Sequence, residues 1–304
     1  VVLATGGFEW DEELKTTFLR GPLTSPASPP TNTGDGLKMA LTAGAGLGNM
    51  TSAWWIPTLS ESGARWPDNG APEKDAQRSV PVLIERTLPH SLMVNGQGKR
   101  FCNEATNYSA LAGAFHSFDP ATYGYNNLPA YLLVDSQYRG RYPIASVMPG
   151  DPSPDWIVEA PDLAGLADAI GVNAAQLEAT VSRFNTHAEN VSDPDFGRGV
   201  SAYDRFYGDR SRDGAAATLG RVEIGPFFAV RIDLGALGTN GGPRTNGMAQ
   251  VLNVYGDVIP GFYAAGNVIS NPTGSVYAGA GGTLGPALTF GYIAGQSVAR
   301  SEAH

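Results

Sequence analysis

The sequence is poor in cysteine, with Cys102 as the single thiol among 304 residues. One cysteine excludes an intrachain disulfide, and this predicts a reducing compartment, which we expect to be the cytoplasm. The four histidines, His90, His116, His187 and His304, are scattered along the chain without the spacing of a metal-ligand motif. We therefore predict no metal site.

Charged side chains are also scarce, at 16% of the residues, and the formal net charge is -9. An acidic chain without a basic stripe lacks the cations that neutralise phosphates, so nucleic acid is not an expected partner. No apolar run reaches the roughly 18 residues that a membrane-spanning helix needs. Glycine (39) and proline (22) are instead abundant, which indicates tight turns and close approach of the backbone to a ligand.

Short apolar runs and small-residue helices occur at both ends of the chain, with a mixed segment between them. Strands are predicted over residues 1–4, 80–84, 92–94, 130–134, 227–232, 250–254 and 261–265. Helices are predicted over residues 12–19, 36–47 and 283–300, and polar residues 62–79 indicate a boundary. This order predicts the α/β class, with a discontinuous domain from residues 1–68 and 240–304 and an α+β insert over residues 69–239.

The clearest helix is predicted to follow Asn173, a good N-cap residue. Leu177, Val181, Phe184 and Ala188 follow at i, i+4, i+7 and i+11, which places them on one apolar face. We expect this helix to be structural.

The chain opens on the apolar run 1–4, directly before the turn Thr5-Gly6-Gly7. This pattern is typical of a buried strand that ends in a ligand-facing turn. No start methionine or signal peptide precedes it. Because a chain seldom begins in the middle of a core strand, we expect further sequence upstream.

Four glycine-rich segments carry the strongest functional signal. They are residues 4–8 (ATGGF), 32–36 (NTGDG), 264–267 (AAGN) and 277–286 (YAGAGGTLGP). Each alone is a common kind of turn, and their order and spacing together are far more specific.

Together these segments resemble the FAD-dependent 3-ketosteroid dehydrogenases of the Δ1 type, within the fumarate reductase/succinate dehydrogenase flavoprotein family, and the resemblance corresponds to their C-terminal part. It implies FAD as cofactor and a discontinuous, Rossmann-like FAD-binding domain with an inserted substrate domain. The residues that it implies for flavin binding are Thr5, Gly6, Gly7, Gly34, Asp35, Gly266, Asn267, Gly282, Thr283 and Leu284. The N-terminus of the last helix would then stabilise the negative charge of reduced flavin.

The dinucleotide fingerprint of that family, Gly-x-Gly-x-x-Gly after a strand, is absent from these residues. We therefore expect the ADP half of FAD to be held by upstream sequence or by a separate polypeptide. The fragment alone would then be inactive, which is one alternative for its function.

Two substitutions separate the chain from the fumarate reductases. In that branch an arginine follows the Asn-Glu pair, whereas here Tyr108 follows Asn103-Glu104, and the segment 237–240 before Gly241-Gly242 has no histidine. A dicarboxylate would lack charge partners here, and burying an unpaired carboxylate is very costly.

The tyrosines resemble those of the 3-ketosteroid dehydrogenases. The resemblance implies Tyr108 as the base that takes a proton from the substrate, and Tyr277 O–H with Gly281 N–H as donors to its C3 carbonyl. Hydride would pass from C1 to flavin N5, and the substrate would be a small hydrophobic 3-ketosteroid. A relative acting at C4–C5 or on another cyclic enone is the alternative.

Some residues keep two interpretations. Simple packing is the alternative to the functional role of Tyr108 and Tyr277, and the Trp54-Trp55 pair is typical of either a steroid pocket or a core. Asp35 is suited to bind a hydroxyl of the cofactor or to cap the helix after it. Cys102 is expected to be an inert buried thiol.

Overall fold

The structure, a computed structural model, describes residues 1–61, 78–277 and 279–301. The chain divides into unit 1, Val1–Trp55 with Ala236–His304, and unit 2, Ile56–Gly235. The predicted boundary at 68/69 lies outside the described residues, as does most of the polar segment 62–79. The chain enters unit 2 earlier than predicted, at 55/56, so residues 56–61 belong to unit 2. The return boundary falls at 235/236, four residues before the predicted one at 239/240, and the roles assigned to the two pieces stay predictions.

The strands are β1 (Val2–Leu3), β2 (Leu47–Gly48), β3 (Ala53–Glu61), β4 (Arg78–Pro81), β5 (Ser91–Asn95), β6 (Phe118–Asp119), β7 (Gly124–Tyr125), β8 (Ala130–Asp135), β9 (Ile157–Ala160), β10 (Phe227–Thr239), β11 (Gly242–Pro243), β12 (Gln250–Leu252) and β13 (Val258–Ala264). The helices are α1 (Glu12–Phe18), α2 (Asp35–Thr42), α3 (Ala112–Phe115), α4 (Ser136–Arg139), α5 (Leu163–Ile170), α6 (Ala174–Glu189), α7 (Ala202–Phe206) and α8 (Leu284–Ser301), with short 3-10 turns at Glu85–Thr87, Gly214–Ala217 and Gly266–Val268.

Unit 1 contains a sheet in the order β1-β13-β12. Strands β1 and β13 run parallel, with Leu3 opposite Ala264, so both strands end at the same edge of the sheet. The turns that follow them, residues 5–7 and 265–267, therefore leave the sheet side by side. The α/β class predicted from the sequence is confirmed.

Helix α2 is shorter than the predicted helix over 36–47. It ends at Thr42, Gly44 takes a left-handed φ of +82°, and Leu47 is in β2. The Ala45 N–H donates to the Ala40 carbonyl at 3.0 Å, the bond that closes a helix behind a C-terminal glycine. The helix was predicted too long at its C-terminal end because the small-residue pattern continues past the glycine that terminates it.

Helix α8 matches the predicted helix to within one residue at each end. Pro286 lies in its first turn, where the missing N–H costs no helical hydrogen bond. Helix α8 begins directly after Gly281, Gly282 and Thr283, so its N-terminus belongs to the fourth glycine motif.

Unit 2 contains a sheet in the order β4-β3-β10-β8-β5, with β9 also pairing β10. Helix α6 begins as predicted, because the Asn173 side chain accepts from the Gln176 N–H at 2.8 Å. The predicted apolar face is also confirmed. Its four residues are buried in one cluster with Leu92, Leu133 and Phe227. The predicted strand 80–84 ends at Pro81 instead, and Ile84 caps the 3-10 turn Glu85–Thr87.

Within the described ranges, none of the helices combines the length and the apolar character that crossing a membrane requires.

Candidate active site

The first three glycine motifs meet at the end of the unit 1 sheet. A Cβ on Gly36 would lie 2.1 Å from Thr5 Oγ1 and 2.8 Å from Val268 Cγ2. Only glycine allows this approach, which brings the second motif against the first and against the residue that follows Asn267. The Gly34 N–H also donates to the Gly7 carbonyl at 3.1 Å. The residues predicted to bind the cofactor are thus neighbours in space, although they are far apart in the chain.

A buried carboxyl group, which the sequence analysis missed, ties these motifs together. Glu9 is fully buried, and its oxygens accept from the Thr239 N–H at 3.0 Å and from Asn32 Nδ2 at 2.7 Å. Thr239 Oγ1 in turn accepts from the Phe8 N–H at 3.0 Å. The available signal was an acidic residue between two aromatic ones, Phe8 and Trp10, directly after the turn Thr5-Gly6-Gly7. A carboxyl group that is buried there needs partners.

The third motif lies between β10 and α8. A Cβ on Gly238 would lie 2.4 Å from Asn267 Nδ2, and one on Gly266 would lie 3.8 Å from the Cβ of Ala287 in α8. Asn267 is therefore close to the end of β10, and Gly266 is close to the first turn of α8. All four motifs contribute to one region of unit 1.

The N-terminus of α8 suits an electron-rich ligand. The N–H groups of Thr283 and Leu284 have no backbone acceptor within the ranges that the structure covers, and the Leu284 side chain is 68% exposed. The Cβ positions of Gly281 and Gly285 face open space. Unpaired N–H groups and the positive end of a helix dipole match the pyrimidine edge of a flavin, where reduction places negative charge. The residues present therefore fit the flavin that the sequence predicts.

Asp35 does not cap α2, so that interpretation is wrong. The N-cap position is Gly34, with a left-handed φ of +75°, and it makes no side-chain capping bond. Asp35 is the first residue of the helix itself, is exposed, and accepts a bond from Thr33 Oγ1 at 3.2 Å. The interpretation of Asp35 as a ligand for a cofactor hydroxyl stays a prediction.

Tyr277 is held between an indole ring and a glycine. It is 7% exposed, and its ring centroid lies 4.8 Å from that of Trp54. A Cβ on Gly282 would lie 2.5 Å from Cε2 of Tyr277, so the phenol ring rests against the glycine backbone. Trp54 is 1% exposed, and its Nε1–H has no acceptor among the described residues. Trp54 therefore packs against the proposed carbonyl donor.

Tyr108 belongs to unit 2, where it is 2% exposed. The loop before it is closed by Asn103, whose Oδ1 accepts from the Ala105 N–H at 2.9 Å and whose Nδ2 donates to Asp204 at 3.0 Å. The Thr106 N–H donates to the Asn103 carbonyl at 3.2 Å. The backbone that leads to Tyr108 is consequently well ordered by local bonds.

The side chain of Glu104, which lies in the same loop, fixes the loop to the residues around it. It is fully buried and accepts from Arg100 Nε at 2.8 Å, Arg198 Nη1 at 3.2 Å and the Met93 N–H at 3.1 Å. Burial alone would raise the pKa of Glu104, but the two guanidinium groups hold it below its ordinary value. Arg100 also binds Asp193 at 2.9 Å. This buried ion network belongs to the fold rather than to an exposed catalytic acid.

The one candidate metal cluster within the described ranges is already neutralised. His187, Asp193 and Asp195 have ligand atoms within 4.8 Å of one another. Asp195 pairs with Arg183 and, at 3.1 Å, with His187, while Asp193 pairs with Arg100. Because these carboxylates already have cationic partners, we assign no metal to them.

Cys102 is buried, and burial raises the pKa of its thiol well above the ordinary value. The reactive thiolate is therefore disfavoured, which agrees with the interpretation of an inert thiol.

Glycine turns gathered at the carboxyl ends of parallel strands are the setting in which α/β proteins bind nucleotide cofactors. A family model described as "FAD binding domain" matches residues 1–284. The chain therefore belongs to this family of flavoproteins, and FAD is its cofactor.

Relatives and a solved structure extend the comparison. The chain is 44% identical over 98% of its length to a 4-oxocyclohexanecarboxylate 2-dehydrogenase of Sinomonas cyclohexanicum, and 41% identical over 100% to a 3-oxosteroid 1-dehydrogenase of Mycolicibacterium smegmatis. It covers 51% and 52% of these proteins, so it spans about half their length. The crystal structure of 3-ketosteroid Δ1-dehydrogenase from Sterolibacterium denitrificans with 1,4-androstadiene-3,17-dione matches 99% of this chain and 53% of that one, with TM-score 0.88 and 36% identity.

Proposed function

We propose that the protein is an FAD-dependent dehydrogenase that removes the hydrogens from C1 and C2 of a 3-ketosteroid. The observation that carries this proposal is the placement of Tyr277 between Trp54 and Gly282, in the glycine motif that leads into α8. This gives unit 1 a phenol donor beside its flavin motifs. The resemblance to 3-ketosteroid dehydrogenases supports the steroid as substrate.

The reaction needs a polarised ketone, because a proton next to a carbonyl is only weakly acidic. Tyr277 O–H and Gly281 N–H are the proposed donors to the C3 oxygen, where negative charge develops as the C2 proton leaves. Donors of this kind contribute about 3 to 4 kcal/mol each to transition-state stabilisation. Neither donor changes its charge in this role.

Tyr108 is the proposed base for the C2 proton. A free tyrosine has a pKa of about 10, so it requires a partner that favours the phenolate. When bound, FAD supplies the hydride acceptor for the C1 hydrogen. The N-terminus of α8 would favour the negative charge that this transfer leaves behind.

The ADP half of the cofactor needs a binding segment of its own. These residues have no Gly-x-Gly-x-x-Gly turn after a strand, so the pyrophosphate lacks its usual site. We propose that this site lies on a segment upstream of Val1 or on a separate chain.

A second candidate substrate is a monocyclic keto acid. The relative at 44% identity is named for 4-oxocyclohexanecarboxylate. The chemistry is the same, since a hydrogen beside a ring ketone is again removed, and the two differ in the size of the ring system and in a carboxylate. Dehydrogenation at C4–C5 of a steroid is the other alternative.

Product analysis separates these reactions. The flavin-containing enzyme, with an artificial electron acceptor, is given a saturated 3-ketosteroid or 4-oxocyclohexanecarboxylate, and the products are identified by mass spectrometry and NMR. We expect a new C1–C2 double bond in the steroid and little turnover of the keto acid. A C4–C5 double bond, or turnover of the keto acid alone, would contradict the proposal.

A further inference from the structure

Arg86 is a fully buried arginine in the short 3-10 turn Glu85–Thr87 of unit 2. Its Nε donates to the Val82 carbonyl at 3.0 Å. Its Nη1 donates to two further carbonyls, that of Glu104 and, at 2.9 Å, that of Thr106. One guanidinium group therefore joins the turn to the loop that ends at Tyr108.

The partners of Arg86 are unusual for a buried cation. No carboxylate of the described residues lies within ion-pair distance of it, and its Nη2 has no hydrogen-bond partner there. Burial lowers the pKa of Arg86 to about 10, so the group remains a cation at neutral pH. Burying a charge without a counter-ion costs free energy. This cost indicates that Arg86 has a role other than packing.

We infer that Arg86 is a positioning residue for the base Tyr108, an inference that rests on the proposed function. It holds the carbonyls of Glu104 and Thr106 from one side, while the Glu104 side chain is held by the separate network of Arg100 and Arg198. Tyr108 follows two residues after Thr106, so movement of this backbone is passed on to the phenol. Displacing a reacting group by about 1 Å costs on the order of 100-fold in rate.

The test uses the complete flavin-containing enzyme and exchange of the substrate's C2 hydrogen with deuterated solvent. Arg86→Met removes all the donors, and we expect exchange to slow by about 100-fold, while Arg86→Lys, which keeps the charge but not the fork, slows it by about tenfold. Binding of the 3-ketosteroid, followed through the flavin absorbance, should change by less than about threefold, because Arg86 touches no proposed substrate contact.

Arg139→Met is the matched control. Arg139 is also buried in unit 2 and also donates to backbone carbonyls, those of Met148 and Asp151 at 3.4 and 3.0 Å. The Arg139→Met variant should lower the melting temperature as Arg86→Met does, and it should leave exchange of the C2 hydrogen within about twofold of wild type. If Arg86→Met does not fold, the exchange rate of the Arg86→Lys enzyme tests the inference. Exchange at the wild-type rate in that enzyme overturns the inference, as does equal slowing in the Arg139 variant.

A double-mutant cycle separates this inference from the proposed function. If Arg86 acts through Tyr108, Arg86→Lys adds no further slowing to Tyr108→Phe. Additive slowing overturns the inference while leaving Tyr108 as the base. Wild-type exchange in Tyr108→Phe itself overturns the proposed function instead.

Discussion

The phenol ring of Tyr277 occupies the space that a side chain on Gly282 would fill. A Cβ on Gly282 would lie 2.5 Å from Cε2 and 2.8 Å from Cδ2 of the ring, while Trp54 packs on the ring at 4.8 Å between centroids. The sequence predicts Gly282 as a cofactor contact. The structure gives a separate reason for a glycine at position 282, because the ring of Tyr277, the proposed carbonyl donor, needs the space that a side chain would fill.

Gly282→Ala should therefore displace the ring of Tyr277 while the fold is retained. Overpacking of this kind costs about 1 to 3 kcal/mol of stability, and we expect weaker binding of 3-keto ligands with 3-hydroxy ligands less affected. Gly295→Ala is the control, because Gly295 lies exposed in α8 with open space at its Cβ and alanine there is expected to stabilise the helix by about 0.5 to 1 kcal/mol. Ligand titration and thermal unfolding of both variants measure the difference. Unchanged 3-keto binding in Gly282→Ala would contradict the contact.

Tyr277→Phe removes the donor itself while keeping the ring between Trp54 and Gly282. Because one oxyanion donor is lost, we expect turnover of a 3-ketosteroid to fall by about 100-fold or more. Flavin content should be unchanged, since the hydroxyl is not assigned to the cofactor. Steady-state kinetics and the flavin spectrum measure both. A variant that keeps wild-type turnover would remove Tyr277 from the carbonyl site.

Flavin binding tests the role assigned to the absent fingerprint. The 304 residues alone should bind FAD weakly or not at all, because they lack the turn for the pyrophosphate. Titration of the purified chain with FAD, followed by flavin fluorescence, measures the affinity. Tight stoichiometric binding without any partner chain would contradict the proposal of a separate ADP-binding segment.

The Tyr142–Asp209 bond predicts a pH dependence of stability in unit 2. The Tyr142 hydroxyl donates to Asp209 Oδ2 at 2.6 Å. Burial and this bond raise the pKa of Tyr142 to about 12, and for Asp209 the bonds from Tyr142 and Ser211 outweigh burial and lower the pKa to about 2. The stabilisation from Asp209 is present above its unfolded pKa of 3.8 and is lost as pH falls towards 2. That from Tyr142 is present below 10 and is lost as pH rises through 12.

Tyr142→Phe should therefore destabilise the protein by about 1 kcal/mol near neutral pH and by less at both extremes. Tyr131→Phe is the control, because the Tyr131 hydroxyl has no hydrogen-bond partner in the described part of the chain. Melting temperatures at about pH 3, pH 7 and pH 11 measure the effect, because the alkaline loss falls between the unfolded and folded pKa values of Tyr142. A loss for Tyr142→Phe that is as large at pH 3 as at pH 7 would contradict the assignment.

Local patterns predicted the local structure well. Helix α6 begins at the cap Asn173 and buries the predicted face, because both signals lie within its own sequence. Helix α2 stops early at Gly44 because the effect of a C-terminal glycine outweighs the small-residue pattern that continues past it. The glycine motifs predicted the cofactor through their joint spacing, which no single turn would have done.

The contacts between residues far apart in the chain could not be predicted from the sequence. Glu104 is bound by Arg198, 94 residues away, and Glu9 by Thr239, 230 residues away. Partners at such separations depend on which strands become neighbours, and local residue patterns do not specify this. The contact between Tyr277 and Gly282 was missed for a related reason, since it depends on the path of the turn between them.

Exchange of the C2 hydrogen of a bound 3-ketosteroid with deuterated solvent is the decisive measurement for Tyr108 as the base, because it reports proton removal alone. The measurement compares wild type with Tyr108→Phe, in the flavin-containing enzyme and without an electron acceptor. We expect Tyr108→Phe to bind the steroid normally and to exchange this hydrogen at least about 100-fold more slowly. Exchange at the wild-type rate in Tyr108→Phe would show that Tyr108 is not the base.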